Sequence, residues 1–393
     1  MRDVRPDFPI LQRSDDGRRL VYLDSAATSL KPQAVIDAVL GFYTHHTSNV
    51  HRGAHALARE ATELFEDARF AVARLINADP DEIVFTHGTT GAIDLVRRCM
   101  PGLRRTVTTT LEHHSNFLPW ALGDDAHVVP LDPEGRLDLD DLARALSRGA
   151  DLVAVAHVSN ALGIVAPVSE IITLAHDAGA LVLVDGAQSV PHLPVDARAL
   201  GADFLAFSAH KMLGPGGIGA LYARAEHLQR MEPGTLGGDM VQEVHRDGYR
   251  LQPPPHRFEP GTPPIEAALG WAAAIAYLQD LGLGAVQAHD RDLVAYALQR
   301  LGEIDEVKIA GPRDASRRQV SVAFHVEGLE AHGVARLLSN RANVCVRSGF
   351  QCAQPAHESL DLPPTVRASF HVYNTRRDID VLAEALGEIV KFL

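Results

Sequence analysis

Between Pro80 and Ala225 the chain alternates short, continuous apolar runs with amphipathic segments, and this alternation restricts its fold more than any other feature. The run Glu82–Thr86 precedes the amphipathic Ala92–Arg98, Leu152–Ala156 precedes Ser169–His176, and Ala180–Val184 is followed by a further run, Phe204–Phe207. Runs without polar alternation are expected of strands covered on both faces. Amphipathic segments between them are expected to be crossover helices joining parallel strands. The fold class expected is α/β. Such sheets bind ligands outside the carboxyl ends of their strands, so the residues just after each run are the first candidates for chemistry.

The Pro-rich passage Gln252–Pro264 closes this block, and an alanine-rich helical stretch runs from Ile265 past Arg300. Farther on, Gln319–Val326 and Ala342–Arg347 alternate like half-buried strands, while Val334–Leu338 and Ile379–Leu386 have helical spacing. The expected organisation is an N-terminal arm over residues 1–20 that joins the small domain, a large domain over 21–264, and a connecting helix with a small C-terminal α+β domain over 265–393.

Composition narrows the function classes. Hydrophobic residues make up 46% and charged residues 22% of the 393, which excludes disorder. Lys plus Arg number 37 against 50 Asp plus Glu, a formal −13 that opposes attraction to nucleic acid or anionic lipid. Neither a nucleic-acid nor a membrane partner is expected. The three cysteines, Cys99, Cys345 and Cys352, cannot form a disulfide framework, and Met1–Phe8 lacks an apolar run, so a cytoplasmic protein is expected. His113 and His114, with His51 and His55, have no Cys or carboxylate at structural-zinc spacing, and no metal is expected.

Three signals carry chemistry. Gly88-Thr-Thr90 lies between a strand and a helix, where backbone N–H groups and the helix dipole favour a phosphate; the same residues also serve ordinary helix caps. Asp185 ends the run Leu181–Val184, where an acid can cap a helix, bind a metal or pair with a cationic ring nitrogen. Lys211, in Ser208-Ala-His-Lys211 before the flexible Gly214-Pro-Gly-Gly217, follows another strand beside two phosphate donors, as Schiff-base lysines do. An acid 26 positions ahead of a lysine, with a phosphate cradle upstream, describes a pyridoxal 5'-phosphate site.

Tyr22-Leu-Asp-Ser-Ala-Ala27, His51-Arg-Gly53, Glu112-His-His114, His157-Val-Ser-Asn160, Val184-Asp-Gly-Ala-Gln188, Ser208–Lys211, Arg257-Phe-Glu-Pro-Gly-Thr262 and Arg367-Ala-Ser369 occur in order along the chain. This series resembles the group II, Suf-type cysteine desulfurases within the class V aminotransferases. The resemblance implies the fold type I architecture of pyridoxal phosphate enzymes, with a mixed, mainly parallel sheet in the large domain, and a homodimer. It implies Lys211 as the Schiff-base lysine, Asp185 as the ring-nitrogen partner and Gln188 as a donor to the ring's phenolic oxygen. Thr89, Thr90, Ser208 and His210 would hold the phosphate, helped by Thr262 from a neighbouring subunit. His113 would stack on the ring and move protons. Asn160 and Arg367 would bind the substrate carboxylate, with Arg347 and the Ala26–Ala27 backbone as further candidates. Cys352 would be the nucleophile that takes sulfur from L-cysteine or a related amino acid as a persulfide and passes it to a protein or small-molecule acceptor.

The loop from Arg347 to Cys352 is short, as in group II. One stretch departs from that pattern: Gly349-Phe-Gln-Cys352 stands where Gly-His-His-Cys is usual, and the chain is shorter around Cys99–Thr110 and Gly123–Val129. The acceptor and the preference for cysteine over selenocysteine stay open at this point. A selenocysteine lyase, another class V β-lyase or epimerase, and a non-catalytic sulfur-relay scaffold are the alternatives. Intact Lys211, Asp185 and Arg367 speak against the scaffold.

Overall fold

The computed structural model describes residues 2–123 and 125–391. Seven strands form the large sheet: β1 (Ile83–Thr86), β2 (Arg105–Thr109), β3 (Asp125–Val129), β4 (Leu152–Ala156), β5 (Leu181–Asp185), β6 (Phe204–Ser208) and β7 (Gly219–Ala223), in the order β1-β7-β6-β5-β4-β2-β3. Only β7 runs against its neighbours; the other pairings are parallel. The continuous apolar runs are explained by the side-chain period of two. Val153, Val155, Val182, Val184, Leu205 and Phe207 enter the core on one face. Their neighbours Leu152, Ala154, Leu183, Phe204 and Ala206 enter a second core on the other.

The smaller sheet is antiparallel: β8 (Val307–Ala310), β9 (Ser321–Val326), β10 (Arg347–Gly349) and β11 (Thr365–Ser369), in the order β8-β9-β11-β10. The expected strand over Ala342–Arg347 is broken, because Val344–Cys345 leaves this sheet and pairs in parallel with Val21–Tyr22.

Val21 and Leu23 are buried with Phe324, Phe370 and Leu386 in the small core, while Tyr22 between them packs against the large one. The helix Ile265–Leu281, expected as a connector, contributes Trp271, Ala274 and Leu278 to the large core. There Trp271 packs against Phe85 and Phe207, with ring centroids 6.1 and 5.7 Å apart. Gly282, at φ +79°, breaks the helix, and Leu283–Gly302 turns to bury Leu293, Ala297 and Leu301 in the small core. Val286, just past Gly282, still packs in the large core, so the helix after the break serves both cores. The N-terminal arm bridges both. Phe8 packs edge-on against Tyr373 within the large core, while Arg5 and Arg19 reach the buried Asp378 of the helix Arg376–Val390.

Among the described residues no single helix is long and apolar enough to cross a membrane. Six strands direct their carboxyl ends to one edge of the large sheet, and β7 starts there. Gly219 at that start opposes Ser208 and Thr86. A Cβ on Gly219 would lie 2.5 Å from Gly88 Cα and 2.6 Å from the Phe207 carbonyl oxygen. Gly219→Ala must displace backbone on both sides, and a loss of about 1–3 kcal/mol is expected. Urea unfolding measures it; an unchanged midpoint would contradict the close approach.

Candidate active site

The helix Gly88–Cys99 starts directly after β1, and Gly88 at φ +80° makes the turn. Its first four N–H groups lack helical acceptors and point out of the N-terminus. Around this end lies a cavity of about 470 Å³ lined by Ala26, Ala27, Thr89, Thr90, His113, Asn160, Asp185, Ser208, His210, Lys211, Arg347, Cys352 and Arg367, all expected from the sequence. Gly217, from the flexible motif after Lys211, joins them, as do His87, Ser115 and Gln351, for which motif reading gave no role.

Two expected residues stand elsewhere. Gln188 is buried outside the cavity wall, and its Nε2 donates to the Ala26 carbonyl at 2.8 Å. This bond gives the Ala26 carbonyl its donor and ties Gln188 to the pocket wall. Thr262 is exposed and lines a neighbouring cavity of about 410 Å³ together with Thr86 and His87. Ala26 and Ala27 do reach the pocket, but not as free donors. The Ala26 N–H donates to Ser369 Oγ at 2.9 Å and the Ala27 N–H to the Asp24 carbonyl at 3.1 Å.

Buried polar atoms without a partner collect at this place: Thr89 Oγ1, Ser208 Oγ, Asn160 Oδ1 and Arg367 Nε, with Gln188 Oε1 just behind. Buried polar groups are nearly always hydrogen-bonded, so a cluster of exceptions marks groups reserved for a ligand. Hydroxyls and helix N–H groups on one side suit a phosphate, and the guanidinium on the other suits a carboxylate.

Asp185 and Lys211 face each other on adjoining strand ends. Burial raises the Asp185 carboxyl, against the pull of Lys211 and an N–H from Ala187 at 2.9 Å. Burial lowers the Lys211 ammonium, with Arg367 adding to the fall and Asp185 opposing it. The result is an amine readily freed of its proton and an acid beside the place for a cationic ring.

Glu112 fixes the segment that carries His113. It accepts from Thr109 Oγ1 at 2.7 Å, Ala156 N at 3.0 Å and Asn116 Nδ2 at 2.6 Å, and full burial pushes its carboxyl up to about 8. His113 caps the helix His114–Ala121 by accepting from Ser115 N at 3.1 Å through Nδ1, which leaves the ring proton on Nε2.

The two arginines share one carboxylate. Asp24 Oδ1 accepts from Arg367 Nη2 at 3.2 Å, and Asp24 Oδ2 from Arg347 Nη2 at 2.7 Å. Arg367 Nη1 donates to the Asn160 carbonyl at 2.6 Å.

Gln351 sets the loop of the cysteine. Its Nε2 donates to the carbonyls of Gly349 at 2.6 Å and Thr365 at 3.0 Å, and its Oε1 accepts from Thr365 Oγ1 at 3.0 Å. Its own carbonyl accepts from Asn160 Nδ2 at 2.6 Å, and the Cys352 carbonyl accepts from His114 N at 2.7 Å. These bonds hold Gln351 and Cys352 at φ +47° and +57°, a left-handed pair that costs roughly 1–3 kcal/mol per residue. Cys352 is exposed, Cys99 buried and Cys345 half-buried.

Replacing Asp24 by Asn leaves Arg367 buried without its counter-charge. A loss near the low end of about 3–5 kcal/mol is expected in urea unfolding, since the Asn carbonyl still accepts; a loss below about 1 kcal/mol would contradict the pairing. The histidines predict a pH effect. Burial brings His113, His157 and His210 from 6.5 down to about 4, with Lys211 adding to the fall for His113 and His210. An unfolded imidazole takes up a proton that the folded one refuses, so stability present above pH 6.5 is lost as pH falls toward about 4. His157→Leu should flatten the fall of the urea midpoint across this window, and an unchanged slope would contradict the assignment.

The family model described as aminotransferase class-V matches residues 21–382. A probable cysteine desulfurase of Halalkalibacterium halodurans is 44% identical over 99% of this chain and 98% of its own length. A cysteine desulfurase of Haloferax volcanii is 41% identical over 98% of this chain and 95% of its own. Among solved structures, the apo cysteine desulfurase of Thermococcus onnurineus superposes with a TM-score of 0.94 at 42% identity, covering 100% of this chain and 99% of that one.

Proposed function

The chain belongs to the class V aminotransferase family and is a cysteine desulfurase, and from that premise we propose that it moves sulfur from L-cysteine onto Cys352 using pyridoxal 5'-phosphate. The observation that carries this reading is that a half-buried lysine, a buried acid, a reserved guanidinium and an exposed thiol line one cavity. Thr89 and Ser208, whose hydroxyls have no partner among the described residues, would hold the phosphate together with Thr90 and His210. Asp185 would supply the negative charge for the ring nitrogen, and His113 would stack on the ring.

When bound, the cofactor supplies an electron sink for charge withdrawn from the substrate. The chain supplies the rest. Arg367 binds the substrate carboxylate through its free Nε edge, with Asp24 fixing the guanidinium plane. Lys211 Nζ, whose ammonium form burial disfavours, moves protons at the substrate carbon. The Cys352 thiolate attacks the substrate sulfur. The carbon–sulfur bond breaks, a sulfur–sulfur bond forms, and the substrate carbon takes up a proton. L-Cysteine and enzyme thiol become L-alanine and enzyme persulfide, with atoms and electrons balanced. Exposure of Cys352 lets an acceptor thiol remove the outer sulfur. The short, bonded loop supports a Suf-type enzyme with a dedicated acceptor. Thr262, outside its own chain's pocket, reaches the phosphate of a second copy in a homodimer.

With a thiol reductant, the protein should release equal alanine and sulfide from L-cysteine. Cys352→Ala should abolish both while the bound cofactor's absorbance persists; turnover untouched by this change would overturn the persulfide route and favour a lyase. Gln351→Ala should lower kcat roughly 10- to 100-fold by releasing the loop, with cofactor absorbance unchanged. A normal kcat would contradict the positioning role.

A further inference from the structure

Away from the catalytic cavity, three segments distant in sequence bring two imidazoles and a carboxylate together. His51 Nε2 lies 2.9 Å from Glu66 Oε1, and one ligand atom from each of His51, Glu66 and His256 lies within 4.8 Å of the other two. The two imidazole rings meet with centroids 5.3 Å apart. They open on a cavity of about 260 Å³ whose wall also includes Asp239 and Glu259. Among the described residues, neither ring nitrogen of the half-buried His256 has a hydrogen-bond partner.

The surroundings orient this group as metal ligands are oriented. Arg69 Nε donates to Glu66 Oε2 at 2.8 Å, which fixes the carboxylate and turns Oε1 toward His51. The guanidinium is matched by Glu259, whose two oxygens accept from Arg69 Nη1 and Nη2 at 2.7 and 2.8 Å. On the far side of the His51 ring, Nδ1 lies 3.8 Å from Asp239 Oδ2, an ion-pair distance longer than a hydrogen bond. Asp239 in turn meets Arg52 at 3.2 Å. The carboxylates Glu66, Glu259 and Asp239 thus outnumber the guanidiniums of Arg69 and Arg52 by one.

We infer that His51, Glu66 and His256 form a binding site for a borderline divalent transition cation of the Zn²⁺ class. Two imidazoles and one carboxylate suit zinc, cobalt or nickel, whereas magnesium and calcium require oxygen ligands. Coordination at about 2.0–2.2 Å draws the three atoms inward by small side-chain rotations, and the cation takes the bridging place that the His51–Glu66 hydrogen bond now fills. The fourth position faces the cavity. A bound cation ties the Pro-rich segment before Ile265, which carries Thr262, to the helix Ala56–Leu75.

The test uses metal-stripped holoenzyme with Cys352→Ser, since the exposed thiol is a competing soft ligand. Equilibrium dialysis against Zn²⁺ should give one saturable zinc per chain. Its dissociation constant should rise at least tenfold when His256→Gln or His51→Gln is added. Co²⁺ should give a visible ligand-field band in the parent that both additions remove, and Zn²⁺ should raise the melting temperature of the parent alone. His256→Gln removes no hydrogen bond, and unchanged metal-free melting and cofactor absorbance verify its folding. No saturable uptake, or weakening of less than tenfold in both variants, would overturn the site.

Discussion

The Arg367 guanidinium closes the seam between the two sheets, and the arrangement of the pocket depends on how its charge is met. It is fully buried on β11 of the small sheet, where an unpaired cation would be costly. One nitrogen is met by the Asn160 carbonyl, just beyond β4 of the large sheet, and another by Asp24, just beyond the short N-terminal strand. Three chain segments are held in register by one planar group. Because Asp24 also takes Arg347, the same carboxylate fixes β10 and the start of the loop that ends at Cys352. The third nitrogen of Arg367 has no partner among the described residues, which leaves it free for the proposed substrate carboxylate.

The pocket is built against stability in the same spirit. Asp185 is buried and Lys211 half-buried, both with their ionised forms disfavoured; four polar atoms of the wall lack partners among the described residues, and two successive non-glycine residues are left-handed. Each feature opposes folding by itself. The double-faced core around β4, β5 and β6 compensates for them, and the rigid strands convert that burial into fixed positions for Lys211 and Asp185.

How much was legible in the sequence follows from whether a signal is local. The strand runs were legible because burial on both faces removes polar residues, and the phosphate turn because the glycine, two threonines and helix start are contiguous. Asp185 and Lys211 could be read because strand ends place them. The packing of Trp271 and Val286 into the large core was not legible, since the Pro-rich passage marks only a change in composition. The bond from Gln188 to the Ala26 carbonyl was not legible either, because the two lie 162 residues apart. Gln351 looked like the loss of a histidine; the fold makes it the clamp of the cysteine loop. The His51, Glu66 and His256 group has no sequence spacing to betray it, because the third member arrives from a loop 190 residues beyond the second.

The central claim is that the clamped loop presents the Cys352 sulfur to a substrate held by Arg367. The most direct measurement is mass spectrometry of the protein after brief exposure to L-cysteine without reductant, with thiols trapped by alkylation and peptides mapped. The account predicts one extra sulfur atom on the peptide containing Cys352 and none on those containing Cys99 or Cys345, with the adduct absent after Arg367→Lys at low substrate. Alanine formed while Cys352 carries no added sulfur would contradict it.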